Sequence, residues 1–164
     1  MHARAKIRLL LNYIHPVRRL VLLIFAAISY VSLSSFVPAG DTQIVNEILK
    51  HTNQSRRANG LSPLALNENL NNIARKHSAD MALGQRSFGH DGFEQRQVQV
   101  ARIMNYRSIA ENVASGATSA QQVVSMWMNS PGHRRNILGN FRYIGIGIAR
   151  DHRGQIYYTQ LFVR

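Results

Sequence analysis

Two periodicities organise the chain after residue 40. Ile44, Val45, Ile48 and Leu49 recur at helical spacing, with Asp41-Thr42 ahead of them to cap and Asn59-Gly60 to stop, which predicts a helix to about Ala58. A connector, Leu61-Ser62-Pro63-Leu64, separates it from a second stripe of Leu70, Ile73, Ala74, His77 and Met81, capped by Asn67 and closed near Gly84. Residues 85–108 are polar and irregular, with a short helix predicted over 95–104. Ser119 caps a third main helix over 120–129, carrying Val123, Val124, Met126 and Trp127. That helix should stop at Ser130-Pro131-Gly132, because Pro131 has no backbone N–H and disfavours helical geometry at Ser130. His133 is then expected in a turn just past the helix end. Alternation takes over at 141–149, with Ile144, Ile146 and Ile148 on one face and Gly145 and Gly147 on the other, where a neighbouring element can pack closely. A turn at Asp151-His152-Arg153-Gly154 leads to a return strand over 155–163.

The start of the chain follows a different pattern. Residues 20–37 (LVLLIFAAISYVSLSSFV) are almost wholly apolar or small, and basic residues precede them. This reads either as a signal peptide cleaved before Gly40, after the small residues around Val37-Pro38-Ala39, or as an uncleaved membrane anchor with a cytoplasmic N-terminus. Both readings put the remainder outside the cytoplasm. The expected organisation is therefore 1–39 as export or anchor segment and 40–164 as one folded domain.

Charge narrows the partners. The chain carries 20 Lys/Arg against 8 Asp/Glu, a net +12. Five of the basic residues, Arg4, Lys6, Arg8, Arg18 and Arg19, precede Gly40 with no acid among them; the other 15 face all 8 acids, leaving +7 on the folded part. Such a body favours anionic surfaces, such as lipid headgroups or cell-wall polymers. Nucleic acid is not indicated, because zinc-finger spacing, a basic strand interleaved with aromatics and a recognition helix are all missing. The chain has no cysteine, so disulfides, thiolate metal sites and cysteine nucleophiles are excluded.

Three segments carry candidate chemistry. Phe88-Gly89-His90 is suited to a loop that brings backbone close to a site. Glu111 and Asn112 sit in the small, apolar run IAENVASG, where a buried carboxylate needs a cationic or hydrogen-bonding partner. His133 follows the third helix. Two imidazoles and a carboxylate are a sufficient ligand set for zinc or another divalent cation, with water in the fourth position, and equally could orient a water without metal. His77, on an apolar helical face, is assigned to the core, and Arg96 is expected to pair with a nearby carboxylate.

The runs IVNEILKHTNQSRRANGLSPLALNENLNNIARKHSADMA, FGH, AENVASG, MWMNSPGHRRNIL, YIGIGIA and YYTQLF occur in this order. Together, over about residues 44–162, they resemble the CAP superfamily or SCP domain (cysteine-rich secretory, antigen 5 and pathogenesis-related class 1 proteins) in its short, cysteine-free bacterial form. The resemblance implies an α+β fold, a three-layer α-β-α sandwich, with a third strand around 109–114. It also implies a cavity lined by two His and two Glu. His90 matches the first His, Glu111 the Glu of the Gly/Ala-Glu-Asn motif and His133 the Gly-His motif. The second Glu, three residues after the helix Trp, falls on Ser130. Asn112 and Ser130 are then the binding neighbours of the three candidates.

Two functions follow as expectations. One is an exported module that binds an extracytoplasmic ligand or an anionic envelope component in or beside this cavity, held to the membrane if the N-terminal segment is uncleaved. The other is a peptidase-like hydrolase, metal-dependent or metal-free, using the same three residues. A purely structural role for the His/Glu set is the third reading.

Overall fold

The computed structural model describes residues 39–164. The expected export or anchor segment, with its apolar stretch at 20–37, lies outside the described residues. Among the described residues no helix is long and apolar enough to cross a membrane.

The described chain runs α1 (Ala39–Ala58), β1 (Ala65–Leu66), α2 (Glu68–Ala82), α3 (Phe93–Ile103), β2 (Ile109–Ser115), α4 (Ala120–Asn129), α5 (Pro131–Ile137), β3 (Tyr143–Arg150) and β4 (Ile156–Val163). The predicted caps operate: Asn67 accepts from Leu70 N at 3.1 Å and Ser119 from Gln122 N at 3.1 Å, each side-chain oxygen satisfying an amide of the first turn. Helix α1 starts before the expected Asp41 cap. Asp41 instead sits in its first turn, where a carboxylate complements the helix dipole, and it pairs with Arg150.

Pro131 behaves differently from the sequence expectation. It does end α4, but it also opens α5, occupying the first helical position, where its missing N–H costs nothing and its fixed φ suits a helix. His133 is therefore a helical residue and not a turn residue.

The strands form one mixed sheet in the order β1-β3-β4-β2, with β1 parallel to β3 and the other pairs antiparallel. Helices cover both of its faces, an α+β arrangement in three layers. On one face Ile144, Ile146 and Ile148 of β3 join Tyr158 and Phe162 of β4 against Ile48 of α1, Val123, Val124 and Trp127 of α4 and Ile137 of α5. On the other face Gly145 and Gly147 lie directly beneath α2; a methyl at Gly147 would overlap the backbone of Ala74 and Arg75. Helix α2 thus rests on bare strand backbone, and its Ser78 hydroxyl reaches the Gly147 carbonyl at 3.1 Å and Thr159 Oγ1 at 2.8 Å. Strand β1 is only two residues long, so part of β3 has no strand neighbour on that side. The amide of Ile146 is met there by Asn71 Oδ1 of α2 at 2.8 Å.

The two kinds of glycine should separate cleanly in denaturation experiments. Gly147→Ala forces α2 off the sheet and is expected to lower stability by about 2–3 kcal/mol or more. Gly132→Ala, in α5 with a helical backbone and only the Arg135 guanidinium at 3.9 Å from an added methyl, should be neutral or gain about 0.5 kcal/mol by restricting the unfolded chain. Urea titrations of the full chain check both.

Candidate functional site

Strand β2 lies at the edge of the sheet, and successive residues of a strand point to opposite faces. Glu111 and Asn112 therefore serve different layers.

Glu111 faces the layer of α2 and α3, where its side chain is 1% accessible. Arg96 of α3 holds it with two parallel bonds, Nε to Oε2 at 2.6 Å and Nη2 to Oε1 at 2.7 Å. The bidentate fork suits a planar guanidinium and a carboxylate, and it satisfies both charges out of water. The remaining Arg96 donors bind the loop ahead of α3: Nη1 donates to the Asp91 carbonyl at 2.9 Å and Nη2 reaches the His90 carbonyl at 3.4 Å. His90 completes the cluster, with Nδ1 3.0 Å from Glu111 Oε1. A carboxylate accepts, so Nδ1 donates, and Nε2 is the ring nitrogen left for another partner on a side chain that is 55% exposed.

Asn112 faces the other layer and is fully buried. Its amide donates to the His133 carbonyl at 3.2 Å and to Gln160 Oε1 at 3.2 Å, and its oxygen accepts from Asn136 Nδ2 at 2.9 Å. Gln160 continues the chain to Thr52 of α1 at 3.0 Å. Asn112 thus fixes α5, the helix that carries His133, and does not itself reach solvent.

His90 and His133 come together in one open cleft of about 410 Å³. Its floor is Val113, Ala114 and Trp127, Ser130 lies on its wall, and Phe88 and Met126 stand exposed at its rim. Trp127 is locked by an indole bond to the Val113 carbonyl at 3.2 Å. Among the candidates, then, His90, His133 and Ser130 line the cleft, while Glu111 and Asn112 lie behind it. Sequence placed Met126 and Trp127 on the third main helix and Phe88 two positions before His90, but did not single them out as a lining.

The donor chemistry can be tested against a metal. Both Glu111 oxygens are taken by Arg96 and His90, Ser130 stands where the family pattern has a second Glu, and no three His, Cys, Asp or Glu side chains among the described residues are gathered so that they could hold a metal ion. The side chains present do not fit a three-donor zinc centre.

Two histidines are held below their ordinary pKa. For His133 burial is the main cause, followed by the nearby His90. For His77, burial dominates and the charge of Arg96 adds to it, outweighing the bond to Gly89 and the nearness of Glu111. His77 Nε2 donates to the Gly89 carbonyl at 2.8 Å, which leaves Nδ1 buried without a partner. Its ring is uncharged at neutral pH, so its 4.0 Å approach to Glu111 is not an ion pair.

Two predictions follow from this geometry. Arg96→Met strands a buried carboxylate and should cost about 3–5 kcal/mol, while adding Glu111→Leu should give back part of that loss, a coupling visible in a double-mutant urea cycle. The depressed histidines bind protons less readily in the folded state than in the unfolded one, where the value is about 6.5. Their contribution to stability is complete above that pH and is lost as pH falls through the folded values. The melting temperature should drop between pH 7 and pH 5, with a shallower slope in His77→Gln.

Comparison with known proteins agrees with this architecture. The model of the cysteine-rich secretory protein family (CAP) matches residues 49–162. An uncharacterized protein of Bacillus subtilis, YkwD, is 34% identical over 130 residues, 77% of this chain and 49% of its own length. The crystal structure of an extracellular protein containing an SCP domain from Bacillus anthracis is 28% identical with a TM-score of 0.64, covering 73% of this chain and 39% of that one. An outer surface protein of Borrelia burgdorferi shares the fold at 19% identity and a TM-score of 0.65, over 79% of this chain and 96% of that one. The chain spans about half or less of the length of the two Bacillus relatives. With an ordered match over most of its described residues and the same fold, this chain belongs to the cysteine-rich secretory protein (CAP) family.

Proposed function

We propose that the domain works outside the cytoplasm as a binding module and takes a small, largely apolar ligand into the His90/His133 cleft. The observation that carries this is the cleft itself. It is a concave hollow floored by Val113, Ala114 and Trp127, rimmed by Phe88 at 57% and Met126 at 42% exposure, with two imidazoles as its polar groups. Apolar surface left exposed around a concavity with few polar groups is the usual form of a small-ligand site. The extracytoplasmic setting is supported by the basic, apolar N-terminal segment and by relatives described as extracellular or outer surface proteins.

Binding is favoured over hydrolysis by the state of Glu111. A carboxylate clamped by a guanidinium and closed to solvent is a poor general base and does not reach a substrate. Its chemical effect is exerted through His90, whose ring it orients. His90 Nε2 is then the ring nitrogen left to bond the ligand, and the neutral His133 ring supplies one donor and one acceptor.

Trp127 is the only tryptophan of the chain and forms part of the cleft floor, so its fluorescence reports occupancy. Titration of the full chain with N-phenyl-1-naphthylamine, an uncharged apolar amine, should give saturable quenching. Phe88→Ala/Met126→Ala, both at exposed positions, should weaken it roughly tenfold through lost apolar contact. Absence of saturation, or indifference to that double variant, would refute the reading. Turnover of peptide, ester or glycan substrates by the wild-type chain supplied with zinc would replace it by hydrolysis.

A further inference from the structure

A second cleft, of about 490 Å³, lies at the opposite end of β2. The strand separates the two: Val113–Ser115 at its end line the histidine cleft, and the residues just before Ile109 line the other, about 20 Å away at the usual rise per strand residue. This second cleft is built where three neighbouring strands begin or end. Arg107 precedes β2, Arg142 precedes β3 and Arg164 follows β4, and all three are exposed.

The backbone holds the three residues side by side. The Arg107 and Ser108 amides both donate to the Arg164 main-chain oxygen, Arg164 N donates back to Ser108 at 3.0 Å, and Arg142 N donates to the Val163 carbonyl at 3.0 Å. The guanidinium of Arg142 is further held over the Tyr143 ring, 5.3 Å from its centroid. Asn105 and Asn140 add neutral donors to the walls.

No Asp or Glu lines this cleft, and among the described residues none of the three arginines has an acidic side chain within ion-pair distance. Arginines outnumber the acids available to pair with them, and what sets these three apart is that they line one cleft. Arg86, Arg96 and Arg150 are each paired with a carboxylate. After Glu94 the chain has nine arginines and only two acids, of which Glu111 is already taken by Arg96 and Asp151 closes the β3–β4 turn through the Arg153 and Gln155 amides. Three guanidiniums, against at most the one α-carboxylate of Arg164, repel one another unless an anion joins them.

We infer that this cleft binds a phosphate group. Each guanidinium presents a planar fork of parallel N–H donors, and 17 of the 20 basic residues in this chain are Arg, the side chain whose fork makes bidentate bonds. A carboxylate, with two oxygens and one charge, would satisfy one fork and leave the others open. A tetrahedral phosphate has enough oxygens and charge to engage several at once. The phosphate belongs either to a soluble phosphate ester or to a phospholipid headgroup, which offer the same chemistry. This site is independent of the histidine cleft and gives the basic excess of the domain a definite place.

The test compares two double variants of equal charge in the full chain. Arg107→Gln/Arg142→Gln empties the cleft, whereas Arg57→Gln/Arg153→Gln removes two exposed arginines elsewhere. Calorimetric titration with inorganic phosphate is run beside co-sedimentation with phosphatidylcholine vesicles containing phosphatidylglycerol, with neutral vesicles as the reference. The cleft variant should lose affinity about tenfold or more in at least one arm, and the control variant no more than about twofold. Loss in the phosphate arm supports a soluble phosphate ester, and loss in the vesicle arm alone supports a headgroup; either sustains the site. Equal loss in both variants would show diffuse charge instead of a site, and no loss in the cleft variant, or no wild-type binding in either arm, would overturn it. Unchanged thermal unfolding of both variants excludes misfolding as the cause.

Discussion

The Arg96–Glu111 pair is the constraint on which the rest of the site depends. Taking a carboxylate and a guanidinium out of water is costly unless the geometry is nearly ideal and the remaining donors are used. Here both carboxylate oxygens and three guanidinium nitrogens are engaged, and every partner lies on a different segment: β2, α3 and the loop before α3. Because the Arg96 donors left over from Glu111 bind the His90 and Asp91 carbonyls, the pair also ties this loop to β2. The His77 bond to the Gly89 carbonyl secures that loop from α2 as well. The position of His90 is therefore set by these buried bonds together with Gly89 and Gly92, whose positive φ angles shape the loop on either side of it.

The edge position of β2 turns this constraint into a cleft. Glu111 secures the histidine that comes from one layer, and its neighbour Asn112 secures the helix that brings the histidine from the other. The two imidazoles meet across the edge because consecutive strand residues point to opposite faces. The edge itself is protected. Asn136 Nδ2 takes the Glu111 carbonyl at 3.1 Å and Trp127 Nε1 takes the Val113 carbonyl, so two backbone acceptors that would otherwise invite another strand are capped by side chains.

Much of the fold was legible because it is written in local patterns. The stripes of α1, α2 and α4, the caps at Asn67 and Ser119, and the Ile/Gly alternation of β3 each have a one-to-one structural counterpart. What was not legible depends on long-range partners. Strand β1 is too short to show a period and exists because Ala65 and Leu66 meet Tyr143 and Ile144. The helical start at Pro131 was masked by the same residue's role as a stop. For the site, sequence singled out His90, Glu111 and His133 as candidates and expected Arg96 to find a carboxylate. It could not say that this carboxylate is Glu111, and that one fact moves Glu111 from the cleft surface to the support beneath it.

The same pairing also explains how charge is distributed over the domain. With Glu111 neutralised, Ser130 in place of a second acid and the His133 ring held in its neutral form, the histidine cleft keeps little net charge and a floor of Val113, Ala114 and Trp127. At the other end of β2, arginines without acidic side-chain partners leave a cleft that is strongly cationic. An ion pair buried in the middle of a short strand thus separates an apolar hollow from a cationic one. Ligands of opposite character would be discriminated by desolvation cost, since an anion is poorly compensated in the first hollow and an apolar group in the second.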